Sequence, residues 1–234
     1  MKPLLTLALL VAAAPALAAT TAQTARTPDS FIATSQRVVE HLSGDLNNDG
    51  RPDHVYVVAG NDSALRHEDP DRGLIDMNPH GLLVALSSPA GYTLALDKPT
   101  LFGTVFQDGG VYYPPERELD IDKGRLKIHY AHGRYGYWTY TFRQRQGRLQ
   151  LIGYDASDAE QASISVNLLT GKWLQREPIF HRDAQGGIDY DRPPRSVKET
   201  WRTVDNLQPV WLQDIDDLSD YYLPDVLGLY DSAR

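Results

Sequence analysis

Glu118-Leu119-Asp120-Ile121-Asp122-Lys123-Gly124-Arg125-Leu126-Lys127-Ile128-His129-Tyr130 alternates apolar and polar side chains on both sides of a Lys123-Gly124 turn. Residues two apart share one face of a strand, so each arm has one apolar row to bury and one polar row for solvent. The pattern continues as a meander. Trp138, Tyr140 and Phe142 share one face of a third strand, Gln146-Gly147 makes the next turn, and residues 149–154 form a fourth. In residues 163–169, Ile164, Val166 and Leu168 oppose Ser163, Ser165 and Asn167, and Thr170-Gly171-Lys172 turns the chain again. Upstream, the apolar run 82–86 is bounded by Ser87-Ser88-Pro89-Ala90-Gly91 and followed by a hairpin partner at 92–96. Residues 31–42 fit either a strand or a short helix. The pattern predicts an all-β fold of antiparallel meander sheets, propeller-like or stacked as a sandwich, in a single domain over residues 36–234. Residues 181–198, with Gly186-Gly187 and Pro193-Pro194, read as a long loop. Residues 201–234 read as an irregular segment that either lies across the sheet as a lid or stays partly mobile.

A second signature precedes the meander. Asp45-Leu46-Asn47-Asn48-Asp49-Gly50-Arg51-Pro52-Asp53 places side-chain oxygens at positions one, three, five and nine and a glycine at six. Calcium takes about 6–8 oxygen ligands, and a short loop supplies most of them only by curling tightly around the ion. Asp45, Asn47 and Asp49 are the expected side-chain ligands, with the Arg51 carbonyl at position seven and Asp53 direct or through water. Position twelve, where a helix-flanked loop carries a bidentate Glu, is Tyr56, and the chain continues as Val57-Val58. The loop therefore feeds a strand, and its role is structural, with calcium as the bound cation. Asp62, Asp69, Asp71 and Asp76 lie in a nearby acidic stretch from which further ligands could come. The competing reading is an Asn/Asp/Gly-rich surface turn that binds nothing.

The first 18 residues have the charged, apolar and small-residue regions of a secretory leader, with cleavage expected after Ala18. The apolar run is short for a membrane-spanning helix, which needs about 20 residues. With no cysteine there is neither a lipidation site nor a disulfide. A soluble periplasmic protein is expected, with residues 19–35 as a flexible lead-in. The formal charge is −8 with Lys2 counted, so it becomes −9 once Lys2 leaves with the leader. That balance disfavours nucleic acid and anionic membranes, whose affinity rests on Lys and Arg, and it suits a basic partner or simple solubility.

Between the second and third meander strands stands His132-Gly133-Arg134-Tyr135-Gly136-Tyr137-Trp138. Tyr, Trp and Arg dominate binding hot spots because each covers a large area and carries a polar tip. His132, Gly133, Arg134, Tyr135, Tyr137 and Trp138 are therefore the candidate partner-binding residues; the alternative places Trp138 and a tyrosine in the core, with the glycines merely making the turn. The segments Tyr137-Trp138-Thr139-Tyr140-Thr141-Phe142-Arg143, Gln146-Gly147-Arg148-Leu149-Gln150-Leu151-Ile152-Gly153-Tyr154-Asp155 and Ser165-Val166-Asn167-Leu168-Leu169-Thr170-Gly171-Lys172, together with the calcium loop, resemble exported immunity proteins. These neutralise peptidoglycan-cleaving toxins delivered by bacterial type IV secretion, and they are similar to the periplasmic inhibitors of invertebrate-type lysozyme. The resemblance implies an all-β fold whose loop enters the cleft of a basic, lysozyme-like peptidoglycan hydrolase. Members of that family are often lipoproteins, whereas this chain has no cysteine to carry a lipid, and His132 stands where the inhibitor loop carries serine.

Catalysis is not expected. There is no HExxH, no GxSxG and no cysteine nucleophile, and the Glu116/Glu118 and Asp120/Asp122 pairs have the spacing of a solvated strand face. The alternative to an inhibitor is a calcium-stabilised exported adhesion or scaffold module that binds cell-wall glycan or protein.

Overall fold

The computed structural model describes residues 23–104, 114–219 and 221–228. The leader, with its expected cleavage site, lies outside them. The strands are β1 (Thr24–Ala25), β2 (Gln36–Gly44), β3 (Asp53–Gly60), β4 (Arg66–Asp69), β5 (Gly73–Asp76), β6 (His80–Ser88), β7 (Gly91–Lys98) and β8 (Glu116–Asp122). They continue with β9 (Arg125–Ala131), β10 (Gly136–Arg145), β11 (Arg148–Asp158), β12 (Ser163–Asn167), β13 (Lys172–Ile179), β14 (His181–Arg182), β15 (Ile188–Asp189) and β16 (Ser196–Thr203). A short helix α1 (Leu223–Val226) follows. None of the helices among the described residues is long and apolar enough to cross a membrane.

Two antiparallel sheets dominate, one of five strands in the order β1-β7-β6-β3-β2 and one of seven in the order β16-β13-β12-β11-β10-β9-β8. The β8 to β13 run is the meander expected from the alternation. The two sheets stack on a shared core rather than closing on themselves. Val55, Val57, Leu82, Val84 and Leu96 from the first sheet join Leu126, Ile128, Tyr140, Phe142, Leu151, Tyr154 and Trp173 from the second in one cluster.

β3 and β6 read as unbroken apolar runs rather than alternations because both their faces are covered. Val55 and Val57 face the shared core, whereas Tyr56 and Val58 pack with Leu83, Ala85 and Phe31 on the far side. That outer cover comes from the segment expected to be a flexible lead-in. Its described part is docked instead: β1 pairs with β7, a 3-10 turn spans Pro28–Phe31, and Phe31 is buried. A second apolar layer needs a lid, and this segment supplies it.

The C-terminal expectations change as well. The long loop expected over 181–198 contains the β14–β15 hairpin and the start of β16, which runs along β13 from Ile179↔Ser196 to Lys172↔Thr203. Beyond it, Leu212, Ile215, Leu218 and Leu223 are buried in the shared core rather than laid over a sheet. Gln213 joins the two sheets, its side-chain oxygen accepting from Leu149 N and its amide donating to Ala95 O. Lys98 Nζ donates to the Ile215 carbonyl, and the Tyr140 hydroxyl donates to that of Tyr221. Spaced leucines in an otherwise polar stretch carry no strand or helix period, so their burial is invisible until the two sheets are assembled.

Candidate functional site

The Asp45–Asp53 loop joins β2 to β3, whose ends pair at Gly44↔Asp53. Gly50 sits at φ +82°, a conformation that side chains with a Cβ rarely adopt, and it allows the loop to curl. Asp45 Oδ1 and Asn47 Oδ1 both accept from Asp49 N, at 3.0 and 2.9 Å, while Asp45 Oδ2 accepts from Gly50 N. Asp49 Oδ1 accepts from Arg51 N, and Asp49 Oδ2 takes the Arg51 guanidinium at 2.6 Å. Desolvation pushes the Asp49 carboxyl up, but these bonds, with one from Asn47, hold it below the usual carboxylate range. Three oxygen-bearing side chains thus gather around one turn of backbone. Two carboxylates, an amide oxygen and the Arg51 carbonyl are hard donors that fit calcium.

Asp53 is held differently from the other three. It is fully buried, and both oxygens are already engaged. Oδ2 accepts from Leu46 N at 2.9 Å and Asn47 N at 3.2 Å, and Oδ1 accepts from Ser87 N at 2.7 Å and Ser87 Oγ at 3.2 Å. Burial raises its pKa against the pull of those bonds. Asp53 therefore ties the head of the loop to the end of β6. The nearby acidic stretch does not converge on the loop either. Asp76 is held by Asn78, Arg66 and Arg37, Asp62 caps a 3-10 turn through Ala64 N, and Asp69 accepts from Asp71 N and Arg72 N. Among the described residues, no three His, Cys, Asp or Glu side chains form a metal cluster.

The loop stands where the two sheets meet. A Cβ on Gly44 would lie 2.6 Å from Ile121 Cγ2 on β8, and one on Gly124 would lie 2.3 Å from the Asn48 amide. Asn48 is thus pressed against the β8–β9 turn. On the outward side of the first sheet, His41 Nε2 lies 2.9 Å from His54 Nδ1, and the His41 ring stacks on Tyr56 with centroids 4.4 Å apart. Burial and the His41 charge depress the His54 pKa.

The aromatic loop occupies the opposite end of β9. Seven residues at about 3.3 Å each put roughly 20 Å between it and the β8–β9 turn, so the structure does not bring the two candidate sites together. Gly133–Tyr135 forms a 3-10 turn. Gly136, at φ +108°, is required there, since a Cβ would lie 1.9 Å from the Ser157 carbonyl oxygen. At the tip, Arg134 Nη2 donates to the Tyr135 hydroxyl at 2.9 Å and its guanidinium lies 5.0 Å from the Tyr135 ring centroid. The His132 ring lies 5.1 Å from the Tyr135 ring, centroid to centroid, and Tyr135 is 57% exposed.

Strand parity divides the remaining candidates. Tyr137 pairs with Ala131 and lies outward near His129, at 5.6 Å between rings. Trp138 pairs with Tyr130, stacks on it at 5.0 Å and packs against the core. Trp138 is therefore a partly buried residue that supports the loop from its core side. The sequence reading also missed the polar row of the seven-stranded sheet, where Arg143, Lys172 and exposed Trp201 share a face. Alternation signalled that row as solvated but could not show which strands would stand side by side.

Comparison of the chain with protein families, with curated proteins and with solved structures found no match.

Proposed function

We propose that this chain is an exported, calcium-stabilised inhibitor of a peptidoglycan hydrolase, acting as an immunity protein of the kind its loop segments resemble. The observation that carries the reading is the Arg134–Tyr135 pair, exposed at the tip of the β9–β10 turn and already ordered by its own hydrogen bond and ring contact. A preordered tip loses little side-chain entropy when it docks. A glycoside hydrolase cleft presents paired carboxylates, and the planar guanidinium of Arg134 matches a carboxylate with two parallel donors. Tyr135 and Tyr137 would cover the apolar walls beside it, with His132 at the rim. The acidic body, at −9 once Lys2 leaves with the leader, would speed encounter with a basic hydrolase.

Calcium, held by Asp45, Asn47, Asp49 and the Arg51 carbonyl, would supply fixed positive charge that keeps the turn closed. The chain's own contribution is to anchor that turn, through Asp53 to β6 and through Asn48 to the β8–β9 turn. The ion would stiffen the sheet junction, and the inhibitory tip would act at the far end of β9.

The test is lysis of purified peptidoglycan by a panel of muramidases, with and without the protein at fixed calcium. Inhibition of at least one basic enzyme is expected, with a loss of about tenfold or more in the double variant Arg134→Ala/Tyr135→Ala and an unchanged melting temperature. Full inhibition by that variant would move the contact surface elsewhere.

A further inference from the structure

The outward face of the seven-stranded sheet carries a feature that the inhibitor reading does not use. Register places Trp201, Leu174, Ser165, Asp155 and Thr139 in one cross-strand row. The next row runs Thr203, Lys172, Asn167, Gly153 and Thr141. Gly153 has no side chain, so the face dips at the centre of these rows. A trough of about 670 Å³ follows, lined across six strands and reaching Arg143 and Trp201. A further hollow of about 490 Å³ continues past Trp201 to Thr203 at the sheet edge.

The charges of this face are not equivalent. Arg125 pairs with Asp122 at 3.4 Å, Lys127 with Asp120 at 3.7 Å and Arg176 with Glu199 at 2.9 Å. Among the described residues, the side chains of Arg143 and Lys172 have no ion pair or hydrogen bond, although both line the trough. Three strand spacings of about 4.8 Å separate β10 from β13, and Arg143 lies two residues of about 3.3 Å each beyond Thr141 of the Lys172 row, so the two cations stand roughly 16 Å apart across it. Trp201 is 64% exposed beside them.

The geometry points to a binding site for a carboxylate-bearing oligosaccharide. The C–H faces of sugar rings stack on a flat, solvent-facing indole, which Trp201 supplies. Ring hydroxyls donate to Asp155 and exchange hydrogen bonds with Asn167, Ser165 and Thr141. Arg143 and Lys172 each take a carboxylate, with Arg143 able to do so through two donors. Nucleic acid fits poorly, since a polyphosphate needs a continuous basic stripe and the chain as a whole is acidic. The inference does not rest on the inhibitor reading, because the trough and the Arg134–Tyr135 tip share no residue.

The test is calorimetric titration of the full mature chain with purified peptidoglycan fragments that keep their carboxylates, with neutral chitotetraose as the contrast. Saturable binding of the acidic fragments and much weaker binding of chitotetraose are expected. Arg143→Ala and Lys172→Ala should each weaken binding about tenfold, as loss of a charge-assisted hydrogen bond does. Trp201→Ala should abolish it and remove any tryptophan fluorescence change on titration. The Arg134→Ala/Tyr135→Ala variant should bind normally, which separates this site from hydrolase inhibition. Melting temperatures of the trough variants should stay near that of the parent, since all three side chains are solvent-facing. No binding of the fragments, equal affinity for chitotetraose, or unchanged affinity in both cation variants would overturn the proposal.

Discussion

Replacing Asp53 by Asn tests whether that residue is a brace or a metal ligand. The carboxylate accepts four hydrogen bonds, two on each oxygen, from Leu46 N, Asn47 N, Ser87 N and Ser87 Oγ. An asparagine of the same shape has one oxygen and can keep only one pair of donors. Its amide then faces the other pair, so donor meets donor at a fully buried position. Ser87 Oγ can rotate to accept, but a backbone N–H cannot. Hydrogen bonds to a charged acceptor are worth roughly 1.5–3 kcal/mol, and an unpaired buried donor costs about 1–3 kcal/mol. Removing the buried charge returns part of this, because desolvation disfavours the ionised carboxyl in the fold. The net loss should be about 2 kcal/mol, or roughly 4–8 °C in melting temperature for a chain of this size. Thermal and urea unfolding, followed by circular dichroism in excess calcium and again in chelator, would read it. A brace predicts the same loss in both conditions. Stability within about 0.5 kcal/mol of the parent would refute the hydrogen-bond argument, and a loss seen only with calcium would make Asp53 a ligand after all.

Asp49→Ala should behave oppositely, abolishing the rise in melting temperature on calcium addition while changing the chelated protein little; a retained calcium response would remove the metal reading. Gly136→Ala places a Cβ against the Ser157 carbonyl at a positive φ, so it should cost roughly 2–4 kcal/mol by urea unfolding, and a cost below about 1 kcal/mol would mean the turn relaxes freely. Burial, with Arg117 and Arg37 nearby, depresses the His80 imidazole from 6.5 to about 4. The folded chain then binds fewer protons than the unfolded one between these values, so stability is present above pH 6.5 and is lost as pH falls towards 4. His80→Gln should flatten that part of the stability profile, and an identical acid limb in both proteins would show that other groups carry it.

Alternation by itself determined the meander, because the two-residue period of a strand ties each residue's face to its neighbours' regardless of the rest of the chain. Leu126, Ile128 and Tyr130 lie inward, and the turns at Lys123-Gly124 and Gln146-Gly147 fall between strands as expected. Oxygen spacing likewise marked the Asp45–Asp53 loop, since the turn is built from its own nine residues. Tertiary structure decided what depends on distant neighbours. Asp53 stands at the ninth position of the loop, and only the fold shows that Ser87, 34 residues away, donates to its carboxylate. Trp138 had the chemistry of a contact residue, yet its pairing with Tyr130 turns it inward. The N-terminal segment and the buried leucines at 212, 218 and 223 carry no period of their own, and they are ordered by apolar surfaces that exist only once the two sheets are stacked. Local periodicity is written in adjacent residues, whereas burial and the meeting of side chains across strands are properties of the assembled sheets.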